Sequence, residues 1–405
     1  MITVIADDIT GAAEIAGIAK SAGFNTKLLM FGTTLPIENS KPSSLLLKTN
    51  STLPNEVLVF ATDTRQMSEA AAVREIEALL DRIGPESLLF KKTDSVLRGN
   101  ISAECDAILR KTAYEQVLLV PQNPTKGRVV RGGLYYINNV LLTETQFADD
   151  PEFPARTAEV ASFGVPDAEN EEQIIQLVAA VKPKTLFAGG ADLFRVIVQQ
   201  LSPPPPPPTG RESLKDSLAQ SFIHKRTNFY SPSPCGEGRK GGELPSFLMV
   251  CGSTQSKSVI ETPFCKRLNA KECNMPLEVF LGKNDATAWI AELKELFPKH
   301  GLVLTINYPS QGGKDFAVRL RCTMAAVVKA LVAANCNEKT ASSSRLKLII
   351  EGGATAFEIL SQLGWYDFEV VKEHFPGVVE IENEHASIVL KPGSYPWNGL
   401  LDNDF

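Results

Sequence analysis

Within its first dozen residues the chain passes from an apolar strand to a helix with almost no loop between them. Ile2–Ala6 is apolar except for Thr3, which suits a short buried strand. Asp7 and Asp8 follow, and Gly11 opens an alanine-rich helical stretch that runs to about Ala22, with Gly23 as its stop. A strand that hands over to a helix through a tight turn is the unit from which parallel sheets are built. In an open α/β sheet, ligands bind at the edge where strands end and helices begin. One aspartate suffices to cap the helix, so the second asks for another role.

The same handover recurs. Strands are predicted at 26–31, 57–62, 87–92 and 116–121, with amphipathic helices at 68–83 and Ile101–Lys111. Residues 127–145, rich in Gly, Tyr, Val and Asn, read as a β-insertion, and 149–154 as a loop. Helix 170–181, strand 185–188 and helix 192–201 complete this part. Six consecutive prolines then open a stretch, 202–244, too poor in apolar residues to build a core, which predicts a linker. Beyond it the alternation resumes, with strands at 246–251, 302–307, 346–350, 377–381 and 387–390 and helices at 286–296 and 316–334. The expectation is an α/β protein of two domains, 1–201 and 245–405, each a mostly parallel sheet flanked by helices, with a β-insertion in the first.

Composition removes whole classes of function. A net charge of −6, with no basic run interleaved with aromatics, argues against nucleic acid and against anionic membranes as partners. No apolar run reaches the length of a membrane span, and no basic, apolar leader precedes the first strand, so no signal peptide is expected. Seven cysteines without C-x-x-C spacing suit a reducing compartment, the cytoplasm, better than a disulfide framework or a zinc site. The four histidines are too scattered for a metal site or a triad.

Chemistry is concentrated at strand ends. Lys92, Asp94, Ser95 and Arg98 lie where 87–92 gives way to the next helix, on the same predicted edge as Asp7 and Asp8. An arginine there can hold a carboxylate through two parallel hydrogen bonds, although Asp94 and Arg98 also have the spacing of an internal helical ion pair. Thr62-Asp63-Thr64-Arg65 adds a third polar tip, and together they suit a small, polar, anionic substrate. In the second half, Glu351-Gly352-Gly353-Ala354-Thr355 joins a strand to a helix, where two glycines let backbone N–H groups approach a phosphate; the same glycines serve a plain tight turn equally well. Gly252-Ser253 and Gly393 are similar backbone tips. Neither G-x-x-x-x-G-K-[S/T] nor G-x-G-x-x-G occurs, which removes P-loop and dinucleotide readings.

Taken in order, Ala6-Asp-Asp-Ile-Thr-Gly-Ala12, Lys91-Lys-Thr-Asp-Ser-Val-Leu-Arg-Gly-Asn100, the Gly-Arg…Tyr-Tyr segment at 127–136, Cys251-Gly-Ser253, Gly352-Gly-Ala-Thr-Ala356 and Lys391-Pro-Gly-Ser394 resemble the four-carbon acid sugar kinase family. The likeness covers most of the chain except the proline-rich stretch. It implies an ATP-dependent kinase for the terminal hydroxyl of acids such as threonate, erythronate or 3-oxo-tetronate, with an N-terminal acid-sugar domain and a C-terminal nucleotide domain. Asp8 first and Asp94 second are the expected proton acceptors. Asp7, Thr10, Arg65, Lys92, Ser95 and Arg98 are the expected acid-binding set, with Arg98, helped by Arg65, on the substrate carboxylate. Ser253, Ser258, Gly352, Gly353, Ala354, Thr355 and Gly393 are expected at ATP, with Mg2+ carried on the phosphates and no dedicated metal ligands. The chain departs from the family pattern at Ala354, where an aspartate is usual, at Gln255 and Ser258, and at Glu14. Ala354 and the long linker keep a second class open, a sugar-acid-binding or regulatory protein without efficient ATP use. A homodimer is also left open.

Overall fold

The computed structural model describes residues 1–33, 55–83, 88–149, 154–160, 163–201, 247–252, 259–267, 269–297, 299–309, 312–337, 345–393 and 397. The linker expected at 202–244 and most of the loop expected at 149–154 lie outside these residues.

Thirteen strands form one continuous sheet. The first half of the chain supplies β1 (Ile2–Ala6), β2 (Asn25–Met30), β3 (Glu56–Ala61), β4 (Leu88–Lys92) and β5 (Gln116–Val120), and later β9 (Thr185–Gly189). These run in the order β2-β3-β1-β4-β9-β5, with every neighbouring pair parallel. The second half supplies β10 (Phe247–Cys251), β11 (Lys271–Asn274), β12 (Leu302–Thr305), β13 (Leu346–Glu351), β14 (Asp367–Phe375), β15 (Val378–Glu382) and β16 (Ala386–Lys391). The block β11-β12-β10-β13-β16 is parallel, and β16-β15-β14 continues it antiparallel. A short antiparallel ladder, Asp367–Glu369 against Leu29–Lys27, joins β14 to β2 and makes the two blocks one sheet. Strands β6 (Arg128–Arg131), β7 (Leu134–Ile137) and β8 (Val140–Leu141) form the separate three-stranded insertion expected from the composition of 127–145.

Two strands escape the sequence pattern. Lys271–Asn274 carries charges at its first two positions, and Asp367–Phe375 reads as mixed polar and apolar. In β14 the reason is visible: Phe368 and Val370 alternate inward, then register shifts at Val370/Lys372 and Glu373/Phe375 break the two-residue period.

Helix α1 (Ile9–Ser21) explains how the halves meet. Its first eleven residues are buried, down to glycines and alanines. It packs against β4, β1, β3, β2, β14, β15 and β16, which are consecutive in the sheet. A helix about 10 Å wide covers only two or three strands spaced about 4.8 Å apart on a flat surface. Contact with seven therefore requires the sheet to curl round α1. Gly17 marks the closest approach: a Cβ there would stand 2.7 Å from Val379 Cγ2 and 3.1 Å from Glu373 Cβ.

Candidate active site

Strands β3, β1 and β4 are neighbours and parallel, so their C-terminal ends deliver residues 62–65, 7–8 and 93–95 to one edge. Thr62 Oγ1 donates to the Ala6 carbonyl (2.9 Å), tying the first two ends together. Asn100 Nδ2 donates to the Thr64 and Met67 carbonyls at 3.0 and 3.1 Å, which ties in the third.

On this edge Arg65 is shared by three carboxylates. Its Nε donates to Asp7 Oδ2 (2.9 Å) and its Nη2 to Asp7 Oδ1 (3.0 Å), a two-point fork. The same Nη2 reaches Asp8 Oδ1 at 2.9 Å, and Nη1 lies 3.6 Å from Asp94 Oδ1. Asp94 is held in turn by Arg98, through Nε and Nη2 at 2.9 Å each, and by the Arg98 and Val96 backbone N–H groups at 3.1 and 3.2 Å. Burial alone pushes both carboxyls up. For Asp7 the Arg65 guanidinium, backed by Lys91 and Lys92, outweighs it, and for Asp94 Arg98 and Arg65 do, so both end below the usual carboxylate range.

Asp8 is placed differently. It caps α1, accepting from the Gly11 N–H at Oδ1 (3.1 Å), and its Oδ2 accepts from the Thr10 hydroxyl (2.6 Å). Of the aspartate pair, Asp7 is 2% exposed and Asp8 9%. Oδ2 also faces the second half of the chain. Helix α10 (Gly353–Leu363) begins directly after β13, with Gly352 at φ +96°, a conformation that excludes most side chains. A Cβ on Gly353 would stand 2.8 Å from Thr10 Oγ1 and 2.9 Å from Asp8 Oδ2. The N-terminus of α10, with its outward N–H groups and positive dipole end, is therefore held against the aspartate turn by the absence of a side chain at 353.

Around Gly352 the other glycine tips converge. A Cβ on Gly393, after β16, would lie 3.8 Å from Gly352 Cα, and one on Gly252, after β10, would lie 2.2 Å from Thr355 Oγ1. Beneath them a buried pair, Lys391 Nζ to Glu351 Oε1 at 2.8 Å, braces the ends of β16 and β13. Ala354 is the second residue of α10. Ser253 and Ser258 lie outside the described residues.

Several residues at this edge were not singled out from sequence. Lys126 pairs with Glu14, and Lys92 Nζ lies 3.8 Å from the same carboxylate while donating to the Thr93 carbonyl (2.9 Å). Burial pushes Glu14 up, but Lys126 and Lys92 bring it down to about 2. Arg128 of β6 donates to Ser95 Oγ. Asp63 occupies the left-handed region (φ +53°), and burial together with the Asp8 charge pushes it up to about 8, against Arg321 and Arg65. The sequence sign of Asp63 was its place in an acid–arginine strand end and that of Arg128 its place in the Gly-Arg segment at 127–136; Lys126, in the turn just ahead of the insertion, gave none. Among the described residues no group of three or more His, Cys, Asp or Glu is arranged to hold a metal ion, and no helix is long and apolar enough to cross a membrane.

Residues 2–163 match the model of a sugar-binding N-terminal domain. The D-threonate kinase of Salmonella typhimurium is 30% identical over 40% of this chain, and the match spans about a third (35%) of that protein. Longer alignments exist. The 3-oxo-tetronate kinase of Haemophilus influenzae is 27% identical over 98% of this chain and 97% of its own, and that of Pectobacterium atrosepticum is 29% identical over 97% and 95%. Along nearly its whole length the chain is thus similar to four-carbon acid sugar kinases. A solved Haemophilus influenzae structure shares the fold, with a TM-score of 0.61 at 20% identity over 99% of this chain and 98% of that one. The region matched by the sugar-binding model contains the aspartate–arginine edge, and the full-length matches extend across the glycine tips that face it.

Proposed function

We propose that this protein is an ATP-dependent kinase that phosphorylates the terminal, C4 hydroxyl of a four-carbon sugar acid of the threonate, erythronate or 3-oxo-tetronate type. The observation that carries this reading is the contact of Gly353 with Asp8 and Thr10. A helix N-terminus suited to phosphate and a carboxylate suited to a hydroxyl proton meet within one side chain's width. Residues 1–201 would bind the acid, and 245–405, beyond the linker at 202–244, the nucleotide. Matches to kinases of three such acids support the substrate class.

The tips at Gly252, Gly352–Gly353 and Gly393 fit a nucleotide's phosphates: the Gly252 and Gly352 N–H groups bond the Glu351 and Lys391 carbonyls, and the N–H groups of 353–355, at the start of α10, are the donors without an acceptor in the helix. MgATP would supply the phosphoryl group, and Mg2+, which dehydrates reluctantly, would need few protein ligands. Asp8 accepts the proton of the substrate hydroxyl as its oxygen bonds to phosphorus and the oxygen bridging to ADP departs. Thr10 fixes the rotation of that carboxylate through its 2.6 Å hydrogen bond. Asp94 is less suited to the proton, since two guanidinium groups stabilise its charged form; its part is to hold Arg98 and Arg65 in place. Lys92, beside the start of α1, adds positive charge near the transferring group. Most of the rate enhancement then comes from positioning and electrostatics.

Asp8→Asn tests the reading. Asparagine caps a helix about as well as aspartate, so the variant should unfold within a few degrees of wild type while its ATP-dependent phosphorylation of sugar acids falls at least 1000-fold, by about 4 kcal/mol of barrier. Wild-type turnover by a folded Asp8→Asn variant would sink the assignment. Binding of the acid by wild type without any ATP consumption would favour a binding or regulatory protein instead.

A further inference from the structure

The two arginines expected from sequence to hold the substrate carboxylate are already engaged. Arg65 makes its fork to Asp7 and Arg98 makes its fork to Asp94. Turning either toward a ligand would strand a buried carboxylate. Lys126 and Lys92 both face Glu14. Arg128 stands apart from this pattern. Its side chain donates to Ser95 Oγ and lies over the Phe147 ring, 5.4 Å from the centroid; among the described residues it forms no carboxylate fork, although its charge helps to hold the Glu14 carboxyl down. The ring fixes the plane of the guanidinium and shields one face from water without cancelling its charge.

The insertion holds this guanidinium at the edge. Asn123 and Arg128 exchange backbone hydrogen bonds, N to O at 2.9 and 3.0 Å. The preceding turn is anchored by Thr125, whose N–H and hydroxyl donate to Asp192 at 2.8 to 2.9 Å. Tyr135 of β7 donates its hydroxyl to the Ser95 carbonyl, so the insertion is fixed to the loop after β4 at two points. Ser95 follows Asp94 directly, and Arg65, beside Asp94, also reaches Asp8, so Arg128 lies on the same edge as the proposed proton acceptor.

We infer that Arg128 is the residue that grips the carboxylate of the acceptor and so restricts the enzyme to acids. This rests on the kinase reading above and deepens it: the β-insertion, not the sheet edge itself, reads the acid group. A planar guanidinium offers a carboxylate two parallel hydrogen bonds that a lysine cannot reproduce.

The test compares wild type, Arg128→Lys and Arg128→Met in steady-state kinetics with threonate and erythronate and with the neutral primary amide of each. Wild type is expected to prefer acid over amide. Arg128→Met should raise KM for the acid about 100-fold, leave KM for ATP unchanged and the melting temperature within a few degrees of wild type, and bring the acid-to-amide preference close to one. Arg128→Lys should fall between. Added guanidinium ion should restore part of the acid preference to Arg128→Met, which a purely structural role would not allow. An unchanged KM and an intact acid preference in a folded Arg128→Met protein would overturn the inference. Calorimetric titration with the acids separates its failure from that of the kinase reading. If wild type binds them without turnover, the kinase reading fails, while a tenfold or greater loss of affinity in Arg128→Met still upholds Arg128. If wild type binds none of them, both fall.

Discussion

At Asp7 and Asp8, adjacent carboxylates share one guanidinium on unequal terms. Asp7 takes both arms of the fork from Arg65 and is closed off; Asp8 takes one hydrogen bond, caps α1 and keeps Oδ2 toward Thr10 and Gly353. Replacing Arg65 by Met leaves Asp7 buried without its partner, so that variant should lose about 3–5 kcal/mol of stability in chemical denaturation. Asp63 gives this edge a pH dependence above the acid range. Its folded value, about 8, lies above the ordinary aspartate value of 3.8 that holds in the unfolded chain, so its contribution favours the fold fully below pH 4 and is lost as pH rises through 8. Asp63→Asn should remove that slope, and its melting temperature should gain on wild type by a few degrees between pH 5 and pH 8.5; parallel pH profiles for the two would contradict this. The aspartate pair and Arg65 were legible from sequence because they end apolar runs. Their division of labour was not, because it depends on which guanidinium arm reaches which oxygen. Arg128 stood in the Gly-Arg segment at 127–136, but its place at this edge was hidden for another reason, since its partner Ser95 is brought to it by the insertion's pairing and not by nearness in sequence.

Among the elements, the helix starts carry the site. Helix α1 is capped by Asp8 and α10 begins at Gly353, and their N-termini face each other with only the Asp8 and Thr10 side chains against Gly353. Gly353→Ala should be nearly neutral for the helix itself, where alanine is the better helix former, yet its methyl group would press on Asp8 Oδ2 and Thr10 Oγ1. The expected result is a melting temperature within a few degrees of wild type and a kcat/KM lowered at least tenfold; undiminished activity would show that the two turns do not work together. The strands and helices with clean periodicity, such as Ile101–Lys111 and Gln116–Val120, could be read almost to the residue. Asp367–Phe375 could not, because its register shifts break the alternation on which strand reading depends.

Across the whole molecule, the sheet's continuity through β14 and β2 decides how the two glycine- and aspartate-rich regions find each other. Three antiparallel pairings, β16-β15, β15-β14 and β14-β2, reverse the strand direction between the two blocks. Six strand steps from β1 to β13, each twisted by about 20–25°, turn it back by about 120–150°. Strand ends that would point opposite ways on a flat sheet can thus face one another across α1. Sequence reading found both parallel blocks but had no means to see the join, which depends on a strand it missed. Gly17, where α1 touches β15 and β14, tests the packing: Gly17→Val should cost about 1–3 kcal/mol by crowding Val379 and Glu373, read as a lower denaturation midpoint. The central claim is tested most directly by incubating wild-type protein with MgATP and each of threonate, erythronate and 3-oxo-tetronate and following the reaction by phosphorus NMR. A phosphomonoester signal coupled to the terminal carbon's protons, formed in step with ADP, is the predicted result. ATP left intact with every acid, or lost only to inorganic phosphate at a rate indifferent to them, would contradict it.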